Sequence, residues 1–278
     1  MPAPYTSRHV QAGGLRFHLL DYGGAGKPPM ICLHGGGANG HWFDYVAGDF
    51  TGDYHVLALD QRGHGDSDWA EPPVYTYADY AADLGRIVDA MGLRDYVLMG
   101  HSMGGMVSLH YAGPRAEQPG QLRALVVIDS NMRMSPTTLE GMNERGQRTG
   151  NSFATLEDYV AKYRLRPGET HAPRSVVEHI GRHSARQGED GQWRHKVDRR
   201  VMATRTMADG LPLWSKLTMP VLYVKGGLSQ RLTPQIRSEI QFVCPQAKFT
   251  EVSRAEHHVT LDNPVEFSQR VREFLGGI

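Results

Sequence analysis

Short apolar runs alternate along the chain with longer amphipathic stretches. Seven runs have the length and composition of β-strands: LRFHLLDYG, PMICLHG, YHVLALDQRG, DYVLMG, LRALVVIDS, MPVLYVKGG and AKFTEVS. The stretch YTYADYAADLGRIVDAMGL instead has helical spacing, with one apolar face formed by Tyr80, Leu84, Ile87, Val88 and Met91. This alternation predicts an α/β fold with a mostly parallel central sheet and helices on both faces.

The strand pattern stops between residues 131 and 213. That segment is polar, is rich in Arg and Gly, and contains helical pieces such as TLEDYVAKYRL. Strand and helix patterns resume afterwards, which indicates an insertion between two strands of one sheet rather than a linker between domains. We therefore predict a core of residues 1–130 and 214–278, interrupted by an insertion of residues 131–213.

The charge balance narrows the class of partner. The chain has 30 basic and 30 acidic residues, so it lacks the positive charge expected of a protein that binds nucleic acid or an anionic membrane. We expect a small-molecule substrate, and the oligomeric state stays open. Cys32 and Cys244 are the two cysteines, and the first residues lack the charged and apolar regions of a secretion signal. These features predict a cytoplasmic protein with free thiols.

The stretch YVLMGHSMGGMVSLHY places Ser102 between Gly100 and Gly104, directly after a predicted strand and before a predicted helix. A Gly-x-Ser-x-Gly sequence at such a junction forms a sharp turn that holds the hydroxyl out at the carboxyl edge of the sheet. The first amides of the next helix, beginning with Met103, then face any negative charge that develops beside the serine. An ordinary tight turn is the alternative, but the position between strand and helix favours a nucleophile.

Two other loops carry groups that suit such a nucleophile. His34 is followed by three glycines, which lets backbone amides approach a ligand, and the Gly36 amide is the simplest second donor to an oxyanion. His257 and His258 lie in a loop between the last predicted strand and the last helix, where a general base for Ser102 is expected. Because the two histidines are adjacent, their side chains need not point the same way.

Four motifs lie at or after the ends of predicted strands: HGGG at 34–37, DQRGHGDS at 60–67, GHSMGG at 100–105 and HHVTLDNP at 257–264. Together they resemble the α/β-hydrolase fold superfamily, and within it the Ser-His-Asp serine hydrolases, over nearly the whole chain. The resemblance implies that the insertion forms a cap over the site and that His257 is the base. Glu256 stands where relatives usually have glycine. Asp60 matches a segment that mostly holds the fold together.

A Ser-His-Asp triad also needs an acidic residue beside the histidine, and the resemblance implies two places for it. Many relatives carry it in the loop after the strand that reads VLYVKGG here, but Leu228 to Arg231 include no carboxylate. The resemblance offers a second place, the end of the preceding strand, where Asp129 lies. An aspartate that merely caps a strand end is the alternative. Since the first place holds no acid, we predict Asp129.

A metal site is not expected. His179 and His183 are four residues apart on a predicted helix, a spacing that can bind a metal, but no glutamate follows the first histidine and no third ligand is evident. We interpret the pair as part of a solvated helix face. The expected chemistry needs no cofactor.

These observations predict a serine hydrolase, similar to a carboxylesterase or lactonase, that cleaves an ester or lactone of a small, partly apolar substrate through an acyl-enzyme. Ser102, His257 and Asp129 form the predicted triad, and the amides of Gly36 and Met103 the predicted oxyanion hole. Two alternatives stay open: a C–C bond hydrolase of meta-cleavage-type dienoates, and a ligand-binding relative with low turnover.

An ordinary histidine base predicts activity that rises between about pH 6 and 7. Whether the basic insertion selects anionic substrates is open.

Overall fold

A sheet of eight strands forms the centre of the protein in the computed structural model, which describes residues 1–115 and 122–278. The strands, including two outside this sheet, are β1 (Thr6–Ala12), β2 (Leu15–Asp21), β3 (Pro29–Leu33), β4 (His55–Leu59), β5 (Tyr96–His101), β6 (Leu122–Ile128), β7 (Ala185–Gln187), β8 (Trp193–His195), β9 (Val221–Gly226) and β10 (Lys248–Val252). The order in the sheet is β1-β2-β4-β3-β5-β6-β9-β10. β1 and β2 pair antiparallel and β2 pairs antiparallel with β4, whereas the other neighbours are parallel. The predicted α/β class with a mostly parallel sheet is confirmed.

Helices follow most of the strands. They are α1 (Tyr77–Ala90), α2 (Met103–Arg115), α3 (Pro136–Gln147), α4 (Leu156–Lys162), α5 (Arg174–His183), α6 (Arg200–Ala203), α7 (Leu211–Trp214), α8 (Pro234–Val243), α9 (Val259–Asp262) and α10 (Pro264–Leu275), with short 3-10 helices at Gly40–Phe43 and Ala47–Phe50. None of the helices in the described parts of the chain has the length and apolarity that crossing a membrane requires.

The alternation of side chains along the strands builds one apolar core on each face of the sheet. Ile31 and Leu33 of β3 pack in the core that includes α1 and α2, whereas Met30 and Cys32 pack in the core that includes α10. All six residues of β5 are buried. Burial on both faces explains why the central strands are continuous apolar runs in the sequence.

The segment of residues 131–213 connects two adjacent strands. β6 and β9 pair in parallel, and α3 to α7 lie between them in the chain together with an antiparallel hairpin of β7 and β8. The sequence shows no strand pattern here because β7 and β8 have only three residues each, which is too short for an alternating pattern. Tyr159, Val160 and Ala185 form a small apolar cluster of their own within the segment. The division into core and cap stays a prediction.

Asp60 joins three parts of the core close to the loop that follows β3. Its carboxylate accepts hydrogen bonds from the Gly40 amide at 2.6 Å, the Asp66 amide at 2.9 Å and His18 Nδ1 at 2.8 Å. Burial alone would raise the pKa of Asp60, but the hydrogen bond from His18 and the neighbouring groups lower that pKa to about 2. The contacts are those of a charged structural residue, in keeping with the expectation from the DQRGHGDS motif.

Candidate active site

Ser102 lies in the turn between β5 and α2 with a left-handed backbone, at a φ of 53°. The turn leaves no room for side chains at the flanking glycines. A Cβ on Gly100 would collide with the carbonyl of Gly104, and a Cβ on Gly104 would collide with the carbonyl of Leu33. Non-glycine residues rarely adopt this backbone conformation, and such strain is concentrated at functional sites.

Three predicted residues meet in one chain of hydrogen bonds at the carboxyl edge of the sheet. Ser102 Oγ lies 3.0 Å from His257 Nε2, and His257 Nδ1 lies 2.8 Å from Asp129 Oδ2. Ser102 and Asp129 follow the ends of β5 and β6, and His257 lies in the loop after β10. Along the chain, His257 is 155 positions from Ser102 and 128 positions from Asp129. A hydroxyl, an imidazole and a carboxylate in this order can transfer the hydroxyl proton to the imidazole.

Asp129 is fully buried, and donors from the end of β9 and from the loop after it surround the carboxylate. Its carboxylate accepts hydrogen bonds from the Gly226 amide at 3.2 Å and from Ser229 Oγ at 2.7 Å, and Arg231 Nε lies 3.7 Å away. Burial raises the pKa of Asp129, whereas the hydrogen bonds from Ser229 and Gly226 act in the opposite direction. The loop that lacks a carboxylate therefore supplies donors to the acid. Ser229 could not be predicted as a partner of Asp129, because a serine in a loop carries no distinguishing signal in the sequence.

The two adjacent histidines point to different partners. His257 contacts Ser102, whereas His258 Nε2 donates to the Pro167 carbonyl at 2.8 Å. His101, for which the sequence predicts no role, donates from Nε2 to the His257 carbonyl at 2.8 Å, and the centres of the two rings lie 4.6 Å apart. His101 therefore fixes the backbone that carries the imidazole of His257.

The environment of His257 favours its neutral form. Burial lowers the pKa of His257 well below the ordinary histidine value, and the positive charge of Arg231 and the neighbouring His258 act in the same direction. A neutral imidazole has the free nitrogen that a proton acceptor needs. The titration expected between about pH 6 and 7 therefore moves to lower pH.

The glycine loop after β3 lies against Ser102 and the start of α2. A Cβ on Gly35 would lie 3.3 Å from Ser102 Cβ, and a Cβ on Gly36 would lie 3.6 Å from Met103 Sδ. Met103 is the first residue of α2, and the first amides of a helix have no acceptor within the helix. The structure thus brings together the two segments whose amides, at Gly36 and Met103, the sequence predicts as oxyanion donors.

Three histidines hold this glycine loop in place. His64 Nε2 accepts a hydrogen bond from the Gly37 amide at 3.1 Å, and His195 Nε2 donates to the Gly37 carbonyl at 3.0 Å. His34 Nε2 accepts from the Gln61 amide at 3.1 Å. Burial lowers the pKa of all three histidines, which favours their neutral forms and leaves His64 and His34 each with a nitrogen that can accept. A merely flexible turn would not have these partners.

Arg205 is buried beside the same loop. Only 8% of the residue is exposed. Its Nη2 lies 2.9 Å from Met103 Sδ and 3.8 Å from the position that a Cβ on Gly36 would take, and its Nη1 lies 3.4 Å from the Tyr77 hydroxyl. Across residues 1–115 and 122–278, its guanidinium forms no ion pair with a carboxylate. The sequence could not single it out, because the insertion contains many arginines.

The expectation that His179 and His183 form a solvated helix face is wrong. Both are only partly exposed, and His179 Nε2 lies 2.6 Å from Asp44 Oδ2. The His183 ring stacks on His41 with the ring centres 3.7 Å apart. These partners lie far away in the sequence, 135 positions in the case of Asp44, so the spacing on one helix could not reveal them.

Comparison with known proteins places the chain in a family. A family model described as alpha/beta hydrolase fold matches residues 28–264, and the chain therefore belongs to the α/β-hydrolase fold family. Among curated proteins, it is 26% identical to the 2-(acetamidomethylene)succinate hydrolase of Mesorhizobium japonicum, over 98% of this chain and 95% of that protein. It is 28% identical to an esterase of Mycobacterium tuberculosis, over 99% of this chain and 90% of that protein.

Solved structures share the architecture. The crystal structure of E-2-(acetamidomethylene)succinate hydrolase superposes with a TM-score of 0.85 at 24% identity, covering 98% of this chain and 100% of that chain. An α/β hydrolase from Novosphingobium aromaticivorans superposes with a TM-score of 0.80 at 26% identity, covering 100% of both chains. The chain is thus a hydrolase of this fold.

We predict that the pKa of His257 lies below 6.5 and that Arg231→Gln raises it, because the substitution removes a positive charge that disfavours the imidazolium. NMR titration of the imidazole resonances measures this pKa, with His257→Gln used to assign the signal. Arg237→Gln is the matched control, since the Arg237 guanidinium lies over the Phe249 ring. A His257 pKa that does not change in Arg231→Gln would contradict the electrostatic account.

Proposed function

We propose that the protein is a serine hydrolase that cleaves a carboxylic ester or lactone through an acyl-enzyme. Ser102 is the nucleophile, His257 the general base and Asp129 the acid that orients and compensates the imidazolium. The observation that carries the proposal is the continuous hydrogen-bond chain from Ser102 Oγ through His257 to the buried Asp129. An esterase among the relatives is consistent with it.

Acylation begins when the proton of the Ser102 hydroxyl moves to His257 Nε2 as Oγ attacks the substrate carbonyl carbon. The carbonyl oxygen becomes an oxyanion, to which the amides of Gly36 and Met103 donate. When the tetrahedral intermediate collapses, the bond to the leaving oxygen breaks, and that oxygen takes the proton from His257. The alcohol leaves, or in a lactone stays attached to the acyl group, and Ser102 carries the acyl ester.

Deacylation repeats these steps with water. His257 Nε2 accepts a proton from the water as its oxygen attacks the acyl carbon, and the bond between that carbon and Ser102 Oγ then breaks. The proton on His257 returns to Oγ, which restores the hydroxyl and releases the carboxylic acid. Asp129 stays ionised and hydrogen-bonded to His257 Nδ1 throughout, so that the imidazolium forms beside a negative charge.

Residues 131–213 act in this proposal as a cap over the site. Three contacts support that role. His258 binds the Pro167 carbonyl, His195 binds the Gly37 carbonyl, and Asn39 Nδ2 donates to Ser184 Oγ at 3.0 Å. Each contact joins the segment to a loop that carries or adjoins a site residue, so the segment lies where it can exclude water from Ser102.

The substrate of this proposal carries a carboxylate close to the scissile carbonyl. A buried guanidinium without a counterion is costly, and an anionic group of the substrate would remove that cost. Arg205 borders the loop that contains Gly36 and contacts Met103, so a carboxylate bound to it would lie beside the oxyanion. The relative named for 2-(acetamidomethylene)succinate acts on a substituted succinate, which is itself a carboxylate.

Arg205 also favours one alternative reaction. A dienoate produced by meta-cleavage carries a carboxylate that the same guanidinium could bind, so hydrolysis of a C–C bond is the second candidate. Parallel assays with carboxylate-bearing esters and with dienoates distinguish the two reactions. A ligand-binding relative with low turnover would hydrolyse neither.

We predict that Asp129→Asn lowers kcat by about 10⁴-fold, because the amide neither compensates the imidazolium nor favours the required tautomer. Adding Ser229→Asp should restore part of the rate, since Ser229 Oγ already lies 2.7 Å from the carboxylate of Asp129.

Gln230→Asp in the same Asp129→Asn background is the matched control, because the Gln230 amide donates to the Leu228 carbonyl and does not contact Asp129. This variant should restore none of the kcat lost in Asp129→Asn. Circular dichroism and thermal unfolding establish that each variant is folded. A folded Asp129→Asn enzyme with nearly wild-type kcat would refute the assignment of the acid.

We predict that Arg205→Met lowers kcat/KM for an ester with a free carboxylate by about 10- to 100-fold, the value of a charged hydrogen-bonded contact. For the homologue in which an amide or methyl ester replaces the carboxylate, kcat/KM should change little. Arg182→Met is the matched control, because Arg182 is an exposed arginine of the same segment that pairs with Glu157. Equal losses for the charged and uncharged substrates would show that Arg205 does not select the carboxylate.

A further inference from the structure

Four side chains that the proposed reaction does not use converge between the core and residues 131–213. His41 lies in the 3-10 helix Gly40–Phe43 and Asp44 directly follows it, whereas His179 and His183 lie one turn apart on α5. One nitrogen from each histidine and one oxygen of Asp44 all lie within 4.8 Å of one another. Three imidazoles and a carboxylate are therefore gathered around a single point.

The contacts within this cluster, which we call the His41 cluster, centre on one oxygen atom. Asp44 Oδ2 lies 3.0 Å from His41 Nδ1 and 2.6 Å from His179 Nε2. The His183 ring stacks on His41 and lies 4.7 Å from the His179 ring, measured between centres. No Lys or Arg in the described residues forms an ion pair with Asp44.

The surroundings of Asp44 leave one of its oxygens for the cluster. Asp44 is fully buried, and its Oδ1 accepts a hydrogen bond from the Tyr22 hydroxyl at 2.5 Å. That bond orients the carboxylate with Oδ2 toward the three histidines. A ligating carboxylate is typically held in this way by a second hydrogen-bonded residue.

We propose that the His41 cluster binds a divalent transition metal of the zinc type, with His41, Asp44, His179 and His183 as ligands. Imidazole and carboxylate donors suit Zn²⁺, which takes four ligands at about 2.0 to 2.2 Å in a tetrahedral site. Neighbouring donor atoms of such a site lie about 3.3 Å apart. The donor atoms of the cluster lie within 4.8 Å of one another, so binding of the metal would require the side chains to move until the donors reach that spacing.

The metal would join the two parts of the chain at a point close to the glycine loop. His41 and Asp44 belong to the core and α5 to the intervening segment, and Asn39, two residues before His41, already binds Ser184 immediately after α5. A closed set of four protein ligands is the pattern of a structural site rather than a catalytic one. The metal would therefore stabilise the position of the segment over the core without entering the reaction at Ser102.

The test uses full-length, tag-free protein stripped of metal with a chelator. Isothermal titration with Zn²⁺ should show one tight site per chain, and saturation about 100-fold above Kd should raise Tm by about 5 °C. Co²⁺ in place of Zn²⁺ should give the intense visible absorption of a four-coordinate site.

The decisive variant is His183→Gln, which removes one ligand and leaves the hydrogen bonds that His41 Nδ1 and His179 Nε2 donate to Asp44 Oδ2. It should bind Zn²⁺ at least about tenfold more weakly, since even the loss of a supporting residue costs that much, and it should lose the rise in Tm. His171→Gln, an exposed histidine of the same segment, is the control and should bind like the wild type.

Tight binding that His183→Gln weakens and His171→Gln does not would support the site. Zn²⁺ affinity that is equal in the wild type and His183→Gln would overturn it, because the ion would then lie elsewhere. A wild-type protein with no tight site and no rise in Tm would also overturn it and would leave the His41 cluster as a hydrogen-bonded contact between the two parts of the chain.

Discussion

Two neighbouring strands of the sheet end in residues with a left-handed backbone, and the geometry of the site depends on these two turns. Ser102 follows β5 with a φ of 53°, and Asp129 follows β6 with a φ of 42°. Such a conformation costs on the order of 1–3 kcal/mol for a non-glycine residue and persists only where the surroundings enforce it. Here the turns hold each other, because the Ser102 amide donates to the Ile128 carbonyl at 2.8 Å and Ser130 Oγ donates to the Ser102 carbonyl at 2.7 Å.

Burial also determines which charge states His257 and Asp129 favour. Desolvation disfavours charge on both His257 and Asp129, so the imidazole rests in its neutral form. In the proposed reaction, His257 accepts a proton and becomes a cation 2.8 Å from the carboxylate, and the donors on that carboxylate, Ser229 Oγ and the Gly226 amide, are already in place. Little rearrangement is then needed as charge develops, which is the main way in which a preorganised site lowers a barrier.

Much of the fold and of the candidate site follows from local patterns in the sequence. The central strands are buried on both faces and therefore read as apolar runs, and the sharp turn at Ser102 requires glycines that the sequence displays. β1 was missed because it is an exposed edge strand with the polar sequence TSRHVQA. The expectation for His179 and His183 failed because their partners, His41 and Asp44, come from another part of the chain. Within its segment, Arg205 is distinguished by its burial, which no local sequence pattern reports.

The central claim is that Ser102 is the activated nucleophile, and covalent labelling tests it most directly. A fluorophosphonate should attach to one residue per chain, which peptide mass spectrometry should identify as Ser102, and turnover should fall in proportion to labelling. Ser102→Ala should remain unlabelled and inactive. Labelling at another residue, or hydrolytic activity that survives complete modification of Ser102, would contradict the account.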